Sequence, residues 1–514
     1  MFAMFKKINT PTAIVIVISF FGMISCDNGF EEVNSNPNAN PTADARYVLP
    51  YAEEAAVDLS VGGLDISNLY VQYYSNLLYA SSGIYDYSPS SSNGHWSTFY
   101  INILENLNQI EIAAEETNNV NQEAIAVILK TWIAQNMTDL WGDIPYTEAN
   151  LGNAPLEQKV INPKYDSQES IYEDLIVQLD HAINIIDESS SPFGSEDLIY
   201  NGDMTKWKKF ATSLKLRVYM RLSEVKPGVA QAGIQEVYTA GGYFESNSDN
   251  ALKPYLQYPN NHPDNEQYRL REDDKVSATV VDNLSALNDP RLRIYAAPTG
   301  QTSEIIGLPV GLEQGAGYTN SNVSPIGAYF VAPTTPGVIM TYSEVLFIFS
   351  EASARGWLDV PGKSAGDLYE EAITANMHMY SQEKLDAVLS SFPGDDTYNT
   401  LGLKESEFPS GITDQEIAEY LQQPGVAWNP SQWRELIGLQ KWIKFYNQGV
   451  QGWHEWKRLN YPVLEPGRDA LLDEVPKRWI YPLSEQSLNG DNLSQAVSNL
   501  NGADDLTTHV WWDQ

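Results

Sequence analysis

The stretch that most constrains what this chain can fold into runs from Tyr200 to Glu224. After Tyr200-Asn201-Gly202-Asp203 comes an unbroken helical run from Met204 to Glu224. Asp203 is a natural N-cap, and Trp207, Phe210, Ala211, Leu214, Val218 and Leu222 recur three and four residues apart, so one face stays apolar along the whole run. A face that long has to be buried. The same segment carries Lys206, Lys208, Lys209, Lys215, Arg217 and Arg221, although the chain has only 31 Lys and Arg against 67 Asp and Glu. Such a run of cations in an acidic chain predicts a central helix ringed by acidic neighbours, with partly shielded ion pairs and Lys and Arg stems laid on apolar surface.

Helical period recurs on both sides of this stretch, mostly in pairs. Ala45 to Leu59 and Ile66 to Ala80 read as helices separated by Gly62-Gly63. Ser97 to Glu116 and Asn121 to Thr138 read as the next two. Ser167 to Glu188 follows, capped by Asp166 with Glu169 three residues on, and Val229 to Ala240 ends at Gly241-Gly242. No clean repeat of about 34 residues is present, so helix length and pairing alone predict a mostly α, tetratricopeptide-like right-handed array. Residues 243–340 then turn irregular and rich in Asn, Pro and Gly. Only Ser277 to Leu287 reads as helix there, and Tyr255, Tyr258, Tyr268, Tyr318 and Tyr329 lie within it. A connection of that length is usually functional. The array resumes with a capping box, Thr341 and Glu344, opening Tyr342 to Arg355, then with Asp367 to Tyr380 and a helix starting at Asn429-Pro430. Gly452 to Arg458 continues beyond it.

The amino terminus carries a separate signal. Lys6 and Lys7 precede the apolar stretch Ala13 to Phe21, and Gly22-Met23-Ile24-Ser25 leads to Cys26, the single cysteine of the chain. This pattern reads as an export signal over residues 1–25, too short for a spanning helix, which needs about 20 apolar residues. A small residue before a lone cysteine resembles a bacterial lipobox, which implies acylation of Cys26. Asp27 to Thr42 is rich in Asn, Pro, Ser and acidic residues and reads as a tether over 26–42, leaving 43–514 as one domain. Within it the array spans 43–242 and 341–460, the insertion 243–340 and a carboxy-terminal segment 461–514.

A formal charge of −36 excludes nucleic acid as a partner, because binding phosphates takes clustered Lys and Arg. With one cysteine there is neither a disulfide framework nor a cysteine-based metal site. Catalytic patterns also fail. His454-Glu455 is followed at the fourth position by Arg458 rather than His, so the metalloprotease spacing is absent. There is no Gly-x-Ser-x-Gly elbow and no phosphate-binding loop. Asp264, Asn265, Glu266, Asp273 and Asp274 offer oxygens to calcium without the EF-hand spacing. The sequence therefore predicts a binding protein with no cofactor and no metal rather than an enzyme; a surface glycosidase is the enzymatic alternative. The 30 Tyr and 13 Trp suit ligand contact through aromatic planes.

Four stretches together resemble the SusD/RagB family of surface lipoproteins that pass nutrients to a TonB-dependent transporter. They are Tyr200-Asn201-Gly202-Asp203 with Lys206 to Arg217, Asp139-Leu140-Trp141-Gly142-Asp143-Ile144-Pro145-Tyr146-Thr147-Glu148-Ala149, Asn288-Asp289-Pro290-Arg291-Leu292, and Trp442 through Pro482. The resemblance implies the same helical array and a lipid-anchored, cell-surface place on the outer membrane. It also implies a SusC-like transporter as partner and an oligosaccharide ligand, with an oligopeptide as the alternative. In glycan binders of this family the insertion after the first helices contacts ligand. That implies Tyr79, Tyr85, Asp86 and Tyr87 as ligand-binding residues, in a polar loop without apolar period; Tyr318 and Tyr329 of the long insertion are the further ligand-binding candidates. Trp96 reads instead as structural, because Phe99, Ile103 and Leu107 continue its stripe.

Overall fold

The computed structural model describes residues 44–63, 65–154, 158–314, 316–392 and 408–513; the predicted signal, the tether and Cys26 lie outside them. The described chain opens with α1 (Ala45–Asp58), a π-helical turn (Leu59–Gly63) and α2 (Asp65–Tyr70). α2 ends ten residues before Ala80, its predicted end. Gln72 takes a left-handed conformation (φ 60°), and Tyr74–Asn76 become the short strand β1. A sequence rich in Tyr has strand propensity, and here a strand partner from the insertion decides between the two.

Next come α3 (Ser92–Ser97), a π-helical stretch into α4 (Glu105–Thr117), α5 (Val120–Trp141), α6 (Gln168–Ile185), α7 (Met204–Arg221) and α8 (Pro227–Ala240). Each of α4 to α7 packs on the next, which builds the paired array. The N-cap of α6 differs from the sequence reading. Ser167 caps it, accepting from Ser170 N at 3.2 Å. Asp166 instead accepts from the backbone of Tyr146 and Thr147, at 3.3 and 2.7 Å, and so fixes the Pro145–Ala149 loop.

The central helix α7 starts at Asp203, whose carboxylate accepts from Lys206 N at 3.1 Å. All six residues of its apolar stripe are buried, and its last ten residues are buried on every side. Its cations meet acidic neighbours as the sequence predicts: Lys208 with Glu188 at 2.9 Å, Lys209 with Glu245 at 2.7 Å, Lys215 with Asp180 at 2.5 Å. Arg217 and Arg221 go further and are fully enclosed. Arg217 forks onto Glu344 at 2.6 and 2.9 Å and donates to the Ile339 carbonyl; Arg221 reaches Glu455 at 2.8 Å and Asp139 at 3.3 Å.

Residues 243–340 hold more order than the sequence suggests. They contain β2 (Ala251–Lys253), α9 (Pro263–Leu270), β3 (Asp274–Val276), α10 (Ala278–Ala286), α11 (Leu292–Tyr295) and β4 (Gly337–Met340). β1 pairs antiparallel with β3, Tyr74 opposite Val276, and β2 pairs with β4. The array returns with α12 (Tyr342–Ala354), α13 (Ala365–Met377), α14 (Gln382–Leu389), α15 (Asp414–Leu421), α16 (Trp433–Lys444) and α17 (Gly449–Leu459). Thr341 sits at the N-cap of α12 but its side chain makes no capping bond, and Glu344, predicted to complete the box, is drawn to Arg217 instead.

The carboxy-terminal segment closes back on the array. Trp479 N donates to the Leu140 carbonyl at 2.7 Å, Trp141 Nε1 to the Ile480 carbonyl at 3.1 Å, and Trp512 Nε1 to Asp139 Oδ1 at 2.6 Å. Asp139-Leu140-Trp141 and Arg478-Trp479-Ile480 are thus two halves of one buried contact.

Candidate functional site

β1 and β3 form the base of an exposed surface. Beyond β1 the backbone N–H groups of Leu77 and Leu78 both donate to the Asp273 carbonyl, at 2.8 and 3.2 Å, which fixes the chain leading to Tyr79. Tyr79 adopts φ 57° and its side chain is 62% exposed. Arg271, just past α9, lays its guanidinium 4.3 Å from the Tyr79 ring centroid and donates from Nη1 to the Tyr79 hydroxyl at 3.1 Å. Asp273 holds that guanidinium by accepting from Nε at 2.6 Å, and their ion pair keeps the Arg271 pKa raised. One ring face is therefore braced by a cation and the other is open to solvent.

The polar loop then turns inward. Tyr85, at φ 65°, is 4% exposed and packs edge-on against Tyr70 at 5.6 Å, and burial pushes its hydroxyl up to about 12. Tyr87 is half-buried against Trp479 at 5.9 Å, its hydroxyl shared with Ser92 at 2.7 Å, and Ser92 in turn donates to the Ile480 carbonyl. Both rings, read from the sequence as having nothing to pack on, belong to the packing between the loop, α2 and the carboxy-terminal segment. Asp86 between them is exposed.

Tyr329 is likewise a packing residue. It is 6% exposed, with Phe330 and Tyr380 at 5.2 and 5.4 Å, in a buried aromatic cluster that includes Tyr295 and Tyr446. Tyr318 is 37% exposed. Its loop is tied to the chain around Tyr79 through a series of backbone and side-chain contacts. Ser75 Oγ donates to the Pro309 carbonyl at 2.7 Å, and Leu308 bridges Ser277 at the end of β3. Gly311 (φ 57°) and Gly467 meet backbone to backbone: a Cβ on Gly311 would lie 2.7 Å from Gly467 Cα. Asp469 N donates to the Gly311 carbonyl, Glu313 N to the Asp469 carboxylate, and Leu471 N to the Ile84 carbonyl at 2.9 Å.

Three loops from distant parts of the sequence are thus bonded to one another; they carry the exposed Tyr79, Asp86, Leu471 and Tyr318, with Arg271 beside Tyr79 and Arg468 paired with Asp469. Among the described residues no ring contact joins Tyr79 to Tyr318. Leu270 and Leu471, 71% and 63% exposed, add apolar area. Arg271 and Leu471 were not among the residues singled out from the sequence. The run Leu270-Arg271-Glu272-Asp273 invites only a calcium reading, and nothing local marks Arg271 as the brace of a ring 192 positions earlier.

Of the side chains considered for calcium, Asn265 Oδ1 accepts from Asn261 Nδ2 at 2.7 Å, Asp273 accepts from Arg271 Nε at 2.6 Å, and Asp274 accepts from Asn76 at 2.5 Å and Gln267 at 3.2 Å. Burial pushes Asp264 up to about 7 and Asp274 up to about 6. Among the described residues no helix is long and apolar enough to cross a membrane.

An exposed, cation-braced aromatic with carboxylates nearby has the chemistry to stack on a flat apolar face and hydrogen-bond its rim. No curated protein's sequence matches this chain at a significant level. Solved structures do. A chitin-binding protein aligns at 27% identity and TM-score 0.76 over 92% of this chain and 100% of its own. A SusD homologue from Bacteroides uniformis aligns at 25% identity and TM-score 0.71 over 91% and 99%. A chitin-binding SusD homologue from Flavobacterium johnsoniae shares the fold at 22% identity and TM-score 0.72 over 91% and 98%. The SusD-like family described as "Starch-binding associating with outer membrane" matches residues 52–482. With its tetratricopeptide-like helical array and that match spanning most of its length, the chain belongs to the SusD-like family.

Proposed function

We propose that this protein is a cell-surface glycan-binding lipoprotein, held on the outer membrane by acyl groups on Cys26, that captures oligosaccharide and passes it to a SusC-like TonB-dependent transporter. The observation that carries the reading is the Tyr79–Arg271–Asp273 unit, an exposed ring fixed at 4.3 Å under a guanidinium that is itself held by a carboxylate. The C–H face of a pyranose is neutral and apolar while its rim is a ring of hydroxyls, so it suits an aromatic plane with flanking Arg and Asp groups. Tyr318 and Asp86 extend this surface, whereas Tyr85, Tyr87 and Tyr329 support it from within. The family description and two chitin-binding relatives point toward a neutral polysaccharide fragment rather than a polyanion, in keeping with the charge of −36.

Calorimetry on the purified domain with maltooligosaccharides, chitooligosaccharides and an oligopeptide panel tests this. Tyr79→Ala and Arg271→Ala each weaken glycan binding by about two- to tenfold, matching about 0.5 to 1.5 kcal/mol for a stacked ring, with the melting temperature unchanged. Affinity for peptides alone would replace the ligand class. Sugar released from the glycans by the pure protein would overturn the reading as a binding protein.

A further inference from the structure

On the array, away from the Tyr79 surface, a cleft of about 390 Å³ opens between α4, α5, α6 and the Pro145–Asn150 loop. Its floor is apolar, formed by Leu104, Val127, Ala134, Met137 and Ile144, and its rim is polar. The rim holds two carboxylates and one ammonium. Lys130 is already committed to Glu111 at 2.5 Å. Asp174 accepts from the Tyr146 hydroxyl at 2.7 Å and from Gln178 at 3.2 Å, and among the described residues no cation pairs with it. Asn108 lines the same rim with its amide engaged by no described residue. The rim therefore carries a net charge of minus one, in a chain whose overall field also draws cations.

We propose that this cleft is a second ligand site, separate from the glycan surface, for a primary amine with an apolar body, such as the free amino end of a short hydrophobic peptide. The volume falls at the small end of the range for ligand pockets, about 300 to 1,000 Å³, and suits a body of dipeptide size. The apolar body covers the floor. The ammonium, with three donors and no acceptor, meets Asp174, the free oxygen of Glu111 and the Asn108 carbonyl oxygen. An anionic ligand would meet a cation already neutralised and two carboxylates. The arrangement of the Pro145–Asn150 loop is built in: Asp166 holds Thr147 at 2.7 Å, and Asn150 Nδ2 donates to the Tyr100 carbonyl at 2.9 Å and to Glu105 at 3.1 Å.

The test is calorimetric titration of the intact domain with leucyl-phenylalaninamide, its N-acetyl form and acetyl-leucyl-phenylalanine, which carry the same body with charges of plus one, zero and minus one. The proposal expects the amine form to bind and the acetylated amide to bind at least tenfold more weakly. Asp174→Asn should weaken the amine form about tenfold, roughly the effect of one charge pair in a partly hydrated site. Asn108→Ala, which breaks no bond within the fold, should weaken it a fewfold and serves as the second variant if Asp174→Asn melts early. Equal binding of all three forms would reduce the cleft to an apolar dent, preference for the acid would reverse its sign, and no heat with the amine form at about 5 mM would overturn the site.

Discussion

Glu344 is the residue whose loss should tell most about how this fold is held. It sits on α12, grips Arg217 of α7 through two bonds and Lys444 of α16 at 3.4 Å, and all three side chains are 3% exposed or less. Burial pushes its carboxyl up, yet the two cations outweigh burial and hold it below the usual range. Glu344→Gln keeps the shape and removes the charge, leaving Arg217 with the Ile339 carbonyl as its remaining strong partner. Breaking a buried pair by removing one member costs about 3–5 kcal/mol. The lower end applies here. Burial already pushes Lys444 down to about 7, so at pH 8 it is largely neutral and leaves no orphan charge, whereas a guanidinium stays charged. The loss should therefore be about 3 kcal/mol at pH 8, read as a lower urea midpoint with unchanged slope. Replacing both partners, Glu344→Leu with Arg217→Met, should recover most of that loss, because no orphan charge remains. A loss below about 1 kcal/mol for Glu344→Gln would refute the reasoning, since it would mean that water reaches the pair and screens it.

Burial of Asp264 predicts an unusual pH response. Its folded pKa, about 7, lies above the unfolded value of 3.8, so its contribution to stability is fully present below about pH 4 and is lost as the pH rises through 7. Asp264→Asn should flatten the fall between pH 5 and pH 8 by about 2–3 kcal/mol and be more stable than the parent at pH 8, as urea melts at both pH values would record. Tyr85→Ala should cost about 3–5 kcal/mol of stability while leaving glycan affinity per folded molecule intact, the reverse of Tyr79→Ala. Gly202→Ala places a Cβ 2.1 Å from the Phe193 carbonyl oxygen at φ 80°, so it should lower the melting temperature by more than a tolerated Gly→Ala change could raise it. Cys26→Ala should abolish incorporation of labelled palmitate in cells.

The array was legible because its signal is local. A stripe with helical period and an Asp at the N-cap need no knowledge of what covers them, and α7 follows that reading to within three residues at its end. Charge balance was legible too, since six cations in one helix of an acidic chain can be satisfied only by its neighbours. The errors share a cause. Asp166, Glu344 and the stretch after Tyr70 each carry a local preference, for a cap, a capping box and a helix, and each is overridden by a partner far away in the sequence. Asp166 serves the loop at Tyr146, Glu344 serves Arg217, and Tyr74–Asn76 pair with a strand 200 residues on. A cap contributes about 1 kcal/mol, and a desolvated Arg left without its anion costs several times that, so the Arg takes the Glu.

The same competition decides the site. Tyr79 and Tyr85 lie six residues apart in one polar loop, both left-handed, and nothing local separates them. Their fates are set by what meets them. Tyr70 from α2 takes the ring of Tyr85, Trp479 and Ser92 take Tyr87, and the guanidinium of Arg271, just ahead of β3, is left for Tyr79. A cation at 4.3 Å braces one face and leaves the other free, while a ring at 5.6 Å in a closed core occupies its partner entirely. The exposed tyrosine is therefore the one whose brace is charged and tied to a carboxylate, because the Arg271 guanidinium keeps its head in water while the buried Asp273 anchors it there. An aromatic in a surface loop becomes a ligand platform when its nearest partner resists burial, and the identity of that partner is tertiary information.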